Sequence, residues 1–293
     1  MYQSFLHYAK ARYLWVALIV STLAVIVFAA YNPGVPRNGG TWYGFTVGTI
    51  AAGLIVWLTM LGVRKRSYHA GSIQVVGWLS AHVYLGTALL VLGTVHSAGQ
   101  LGWNIHSVAY VLMLVVIFSG FYGVYVYRRF PQQIAQNRGG RSRDMFLQEL
   151  VATDRDCREV AATALPQIQS AVYSALDRTV LGGSVLSLLL GRDDSRVEVP
   201  TETGSTRVET NPAQTRILDY LGGQLAISAG GRDAEVVQKL VNLFAQRKAL
   251  IDVIARDIRL QWRLRFWLFI HVPLTFGLWG ALIAHIVSVF AYW

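Results

Sequence analysis

The sequence predicts an all-α membrane protein of five transmembrane helices, with a cytoplasmic helical-hairpin insert between the fourth and the fifth. Three observations predict it. Of 293 residues, 54% are hydrophobic and only 14% are charged, too apolar a balance for a soluble domain of this size. Five windows reach the length of about 20 apolar residues that crosses a bilayer. All 16 acidic residues lie between Asp144 and Asp257, so the five windows hold no carboxylate. A proton or cation path through a membrane relies on such groups, which argues against a carboxylate-driven pump.

The windows are Tyr13–Tyr31, Tyr43–Val63, Val75–Ala98, Ser107–Tyr127 and Phe266–Tyr292. The first is longer than the apolar core of a signal peptide and no small-x-small cleavage site follows it, so it reads as a retained helix. Trp15, Trp42, Trp57, Trp78, Trp103, Trp267 and Trp293 fall at or near segment ends, where indoles anchor at the membrane–water boundary. Lys10 and Arg12 precede the first segment, and Arg64, Lys65 and Arg66 follow the second. Arg128 and Arg129 follow the fourth, and Arg263 and Arg265 precede the fifth. The alternate loops hold only Arg37. By the positive-inside rule the N-terminus is cytoplasmic and the C-terminus periplasmic, so segments one, three and five run outward.

The chain divides into residues 1–130, carrying four spans, an insert over 131–262, and residues 263–293, carrying the fifth span. The insert opens with helical periodicity over 145–181, broken at Pro166. A polar, turn-rich stretch near 191–212 reads as a flexible loop. From Arg232 an amphipathic stripe of Val236, Leu240, Leu243, Phe244, Leu250, Ile251 and Ile254 predicts a helix running without a break into the fifth span and pairing with the 145–181 region. The insert holds 16 basic and 16 acidic residues, so the net charge of +10 comes from membrane-flanking positions. That suits a lipid bilayer rather than nucleic acid. Cys157 is the lone cysteine, which excludes an intrachain disulfide, a covalent c-type heme and a cysteine-held iron–sulfur cluster. "LGGQLAISAGG" lacks the strand–turn–helix setting of a phosphate loop.

The chemistry-bearing pattern is a pair of pairs. "HVYLGTALLVLGTVH" runs from His82 to His96 and "HVPLTFGLWGALIAH" from His271 to His285. Fourteen residues at about 100° each fall about 40° short of four turns, and rise about 21 Å. Each pair therefore shares one helix face at two depths. With both segments outward, His82 meets His271 on the cytoplasmic side and His96 meets His285 on the periplasmic side. Two facing imidazoles hold a heme iron from both sides, which makes the five helices a heme-binding bundle. Gly86 and Gly93 share the His82 face, where a missing side chain lets a flat macrocycle approach. On the fifth segment, Thr275, Leu278 and Leu282 share the histidine face, while Gly277 and Gly280 lie opposite and are assigned to helix packing. His106 is read as a propionate partner or a helix-start residue at the interface. His69 and His7 are read as solvated, and Arg64, Lys65 and Arg66 as topology determinants first and as partners of inner-heme propionates second.

The paired histidines, with "HVYLG", the "HS" at His96 and "SGFYGVYVYRRFP" (Ser119–Pro131), resemble the transmembrane heme-b domain of the ferric reductase and NADPH oxidase-like proteins. The spacing is more distantly similar to the diheme cytochrome b of quinol-oxidising complexes. The resemblance covers residues 13–128 and 264–293, not the insert. It implies two heme b groups and electron transport through the membrane. Ferric reductases carry a flavin and nicotinamide domain after the last helix. This sequence stops at Trp293, so NAD(P)H oxidation is expected to need another protein.

The expected function is therefore a diheme b-type cytochrome subunit of the inner (cytoplasmic) membrane, within a hetero-oligomeric oxidoreductase complex. It conducts electrons between a cytoplasmic flavin or iron–sulfur protein and a periplasmic c-type cytochrome. A quinone-reactive subunit is the first alternative, and quinol-driven reduction in vesicles would identify it. A non-redox membrane anchor that recruits partners through the insert is the second, and would bind no heme.

Overall fold

The computed structural model describes residues 5–32, 34, 36–66, 75–201, 205–228 and 230–291. His69, Tyr292, Trp293 and the side chains of Lys65 and Arg66 lie outside the described residues. The fold is mostly helical, and among the described residues five helices are long and apolar enough to cross a membrane. They are α1 (Arg12–Ala30), α2 (Trp42–Arg66), α3 (Val75–Ser97), α4 (Ile105–Arg138) and, counted in chain order, α9 (Arg232–Ala291). Between α4 and α9 lie α5 (Arg143–Ala161), α6 (Pro166–Asp177), α7 (Val185–Leu190), strands β1 (Arg196–Pro200) and β2 (Thr206–Thr210), and α8 (Thr215–Ile227). The chain forms two compact units, one of Met1–Tyr125 with Trp267–Trp293 and one of Val126–Phe266.

In the first unit the core is made by Val47, Ala51, Ile55 and Leu58 of α2, Leu89, Leu92 and Val95 of α3, Met113 and Ile117 of α4, and Leu278 and Leu282 of α9. The outward faces are equally apolar. On α9, Phe269, Phe276, Ile283 and Phe290 recur every seven residues and are all exposed. Residues seven apart share a helix face, and this one lies opposite the face of Leu278 and Leu282. An exposed apolar band of that extent marks a surface for lipid rather than water. On α1 the buried residues are Ala17 and Ala24, one heptad apart, which lets a neighbouring helix approach closely.

In the second unit, α9 presents Val237, Leu240, Phe244, Leu250, Ile251 and Ile254 as a buried stripe. Val236 and Leu243 are only half-buried beside it. Phe146 and Leu150 of α5 cover one end of the stripe. Ile168, Val172 and Leu176 of α6 and Ile217 and Leu221 of α8 cover the other. Pro166 stands at the first turn of α6, where its missing N–H costs nothing and its fixed φ favours helix. The 145–181 region is accordingly two helices. Arg247 lies within the stripe at 1% exposure and is satisfied by Asp154 Oδ1 at 2.7 Å and Gln214 Oε1 at 2.7 Å. Arg138 and Asp257 join α4 to α9 through two 2.8 Å bonds.

The 191–212 stretch departs from the loop expectation. β1 and β2 pair antiparallel, Arg196 opposite Thr210 through Pro200 opposite Thr206. Val197 and Val199 point into the core, the period-2 burial of a half-covered strand. The alternation in "RVEVP" carries that signal, but it is short and flanked by acidic and turn-forming residues. "LGGQLAI" is likewise helical, as the end of α8.

Cys157 is fully buried between α5 and its neighbours. Burial pushes its thiol from 9.0 up to about 12. Below about pH 9 folded and unfolded chains both carry the thiol proton. Between about 9 and 12 only the unfolded chain releases it, so stability falls as pH rises through that window. Native full-length protein at pH 8 is expected to resist maleimide and to react once unfolded. The alkaline loss of thermal stability is expected to be shallower in Cys157→Ala. Rapid labelling of the native chain would contradict this burial.

Candidate functional site

All four intramembrane histidines lie in the first unit, and α3 and α9 bring them together in two tiers. The rings of His82 and His271 have centroids 6.5 Å apart. Those of His96 and His285 are 5.9 Å apart. A metal–imidazole bond is about 2 Å, so two nitrogens on opposite sides of one ion, each about 1 Å from its ring centre, place the centroids about 6 Å apart. Both tiers have that spacing. Buried Leu89 and Leu278 fall midway along the chain between the tiers, separating them with apolar packing.

The second nitrogen of each ring is also engaged. His82 Nδ1 bonds the Leu58 carbonyl at 3.0 Å, and His96 Nδ1 bonds the Gly44 carbonyl at 2.8 Å. A carbonyl only accepts, so each Nδ1 carries the hydrogen and each Nε2 keeps its lone pair. His271 Nδ1 lies 2.7 Å from Ser119 Oγ. The Ser119 hydroxyl hydrogen goes to Val116 O at 2.7 Å, so Ser119 accepts and His271 is the same tautomer. Contacts of this kind fix the orientation of a metal-ligating imidazole and raise its basicity. The paired donors would suit a group held between two imidazole nitrogens, His82 with His271 and His96 with His285. Among the described residues, no cluster of three or more His, Cys, Asp or Glu is arranged to hold a bare metal ion.

Glycines make room for the rings. A Cβ on Gly48 would lie 2.5 Å from His96 Cε1, and one on Gly39 would lie 3.0 Å from it. On α4, a Cβ at Gly120 would lie 3.7 Å from His271 Cε1. At Gly123 it would lie 2.2 Å from the Trp267 ring. That indole packs 5.1 Å from His271 and donates to Ser119 O at 2.6 Å. Trp267 is thus part of the His271 surroundings and not simply an interfacial anchor. Trp42 and Trp103 are exposed.

The other candidates fare differently. At Gly86 only Leu58 Cδ1, at 3.9 Å, approaches the missing Cβ, so that face stays open. At Gly93 the space is occupied by Met113, whose Cε would lie 2.4 Å from a Cβ. Leu278 and Leu282 are buried, and Thr275 Oγ1 bonds back to His271 O. Gly277 and Gly280 would meet nothing within 4 Å, so among the described residues they do not serve the helix packing assigned to them. His106 is in direct contact with His285. Sequence reading missed Gly39, Gly44, Gly48 and Ser119. Gly44 and Gly48 form a G-x-x-x-G on α2, the pattern of close interhelical approach.

Ser119→Ala removes the acceptor of the His271 Nδ1–H. Loss of such an outer contact lowers metal-site affinity by about 10–100-fold. With heme as the group held by the two tiers, the reading argued below, the variant is expected to lose it from the His271 tier to a heme scavenger faster than wild type, with the other tier unchanged. Equal loss rates would remove Ser119 from the site.

Comparison with known proteins finds no matching family, no similar curated protein and no similar solved structure.

Proposed function

We propose that this chain is a diheme b-type cytochrome subunit that conducts electrons across a membrane, with His82 and His271 holding one heme iron and His96 and His285 the other. The observation that carries the reading is the doubled geometry. Two imidazole pairs stand at 6.5 and 5.9 Å, with three of the four rings hydrogen-bonded through Nδ1, which leaves Nε2 as the nitrogen available to a ligand. When bound, heme supplies reversible one-electron chemistry. The chain's own contribution is the paired imidazoles: His82 with His271 and His96 with His285 would hold each iron from two sides, which would suit electron transfer rather than oxygen binding. The apolar layer of Leu89, Leu92, Leu278 and Leu282 keeps water from between the tiers. Every Asp and Glu of the chain lies between Asp144 and Asp257, outside the first unit, so the reading assigns it electron rather than proton movement.

The sequence resemblance to the ferric reductase and NADPH oxidase-like domain supports the same assignment. Partners follow as part of the proposal. A flavin or iron–sulfur protein meets the cytoplasmic side, where the second unit serves as a docking body, and a c-type cytochrome meets the periplasmic side. Pyridine hemochrome analysis of the purified chain is expected to give two b-type hemes per polypeptide. A preparation that is folded and free of reduced b-type absorption would overturn the reading and favour the membrane anchor.

A further inference from the structure

Three of the four histidines give their Nδ1 hydrogen to an oxygen supplied by a helix: Leu58 O, Gly44 O or Ser119 Oγ. The fourth, His285, is different. Its Nδ1 contacts the Nδ1 of His106, and the two rings stand perpendicular with centroids 4.6 Å apart. His106 thus occupies, for His285, the place that the oxygens occupy for the others.

The local fold holds it there. Asn104 caps the start of α4 by accepting from Ser107 N at 2.9 Å, and Ser107 Oγ accepts from Gly102 N at 2.8 Å. The Asn104 cap and the Ser107 bond to the preceding loop fix the first turn, and His106 sits inside that turn. Its exposure means that no core packing demands a histidine there.

We infer that His106 is a positioning residue of the His96–His285 tier: its Nδ1 accepts the Nδ1–H of His285, fixing the tautomer that turns Nε2 of His285 toward the heme iron. The inference rests on the proposed function and adds a residue to it. An imidazole acceptor is more basic than a peptide carbonyl or a serine hydroxyl, so His285 would be a stronger donor than the other three histidines. A stronger donor favours the oxidised iron and lowers the potential of its tier.

The test uses full-length holoprotein and redox titration followed by absorbance and low-spin EPR. His106→Phe is expected to retain two hemes per chain, to raise the midpoint potential of one heme and to move its EPR signature, leaving the other heme unchanged. His106→Asn places an acceptor where Nδ1 stood and is expected to return both readouts toward wild type. If His106→Phe does not fold, His106→Ala asks the same question with no added volume. Unchanged potentials in a folded variant overturn the positioning role while the diheme reading stands. Loss of one heme in His106→Phe, with two retained in His285→Ala, makes His106 the axial ligand and overturns the assignment. Absence of heme from wild type removes both.

Discussion

His96→Ala and His82→Ala are each expected to leave one b-type heme per chain in place of two, and the double variant none. On the diheme reading, each substitution deletes one of the two imidazoles that would hold an iron and leaves its partner, His285 or His271, without a counterpart. Single-imidazole attachment through one nitrogen of about 2 Å bond length gives no second anchor on the opposite face of the ring. The tiers are separated by about 21 Å of helix rise, with Leu89 and Leu278 buried between, so loss at one level leaves the other intact. Paired substitution sharpens the expectation. His96→Ala and His285→Ala remove the same heme, recognised by its potential and EPR signal, and His82→Ala and His271→Ala remove the other. If His96→Ala and His271→Ala remove the same heme, the pairing is crossed and the assignment of tiers fails. Undiminished heme content in any of the four removes that histidine from the ligand set.

How much of this was legible without coordinates depends on what each feature is made of. The five spans are unbroken apolar runs, and their lengths speak directly. The continuity of α9 was legible because no proline or glycine interrupts Arg232 to Phe266; Pro273 lies within the apolar span, and the helix continues through it. The proximity of His82 to His271 and of His96 to His285 follows from equal spacing on two helices running the same way. The anchors of those rings were hidden for a physical reason. Leu58 O and Gly44 O are backbone carbonyls, which any residue supplies, so no residue type announces them. Ser119 sits in a stretch that draws notice for its glycines and aromatics, and a serine there carries no signal until His271 is placed against it. The β1–β2 hairpin was missed because five-residue strands beside "GRDDS" read as turn. For the histidine rings the sequence shows the apolar period, and the coordinates add the polar partner.

Gly48→Ala is expected to act as a loss of the His96 tier although it touches no ligand atom covalently. The added Cβ would stand 2.5 Å from His96 Cε1 and 2.6 Å from Nδ1, well inside contact distance. The ring cannot yield cheaply. Its Nδ1 is tied at 2.8 Å to Gly44 O, one turn earlier on the same helix, and its other side faces His285. Either the Gly44 bond breaks and the tautomer is freed, or α2 and α3 move apart against a packed interface, which costs about 1–3 kcal/mol. Helix propensity works in the opposite direction, since replacing glycine by alanine inside a helix stabilises it by about 0.5–1 kcal/mol. Gly53→Ala provides the comparison, because its Cβ would meet nothing within 4 Å on the same helix. Gly53→Ala is expected to keep two hemes and to melt at or above the wild-type temperature. Gly48→Ala is expected to bind heme in the His96 tier at least tenfold more weakly or lose it, with the His82 tier unaffected. Two hemes of wild-type affinity in Gly48→Ala would mean that the His96 ring is not held where α2 places it, and the account of the Nδ1 anchor at Gly44 would fall with it.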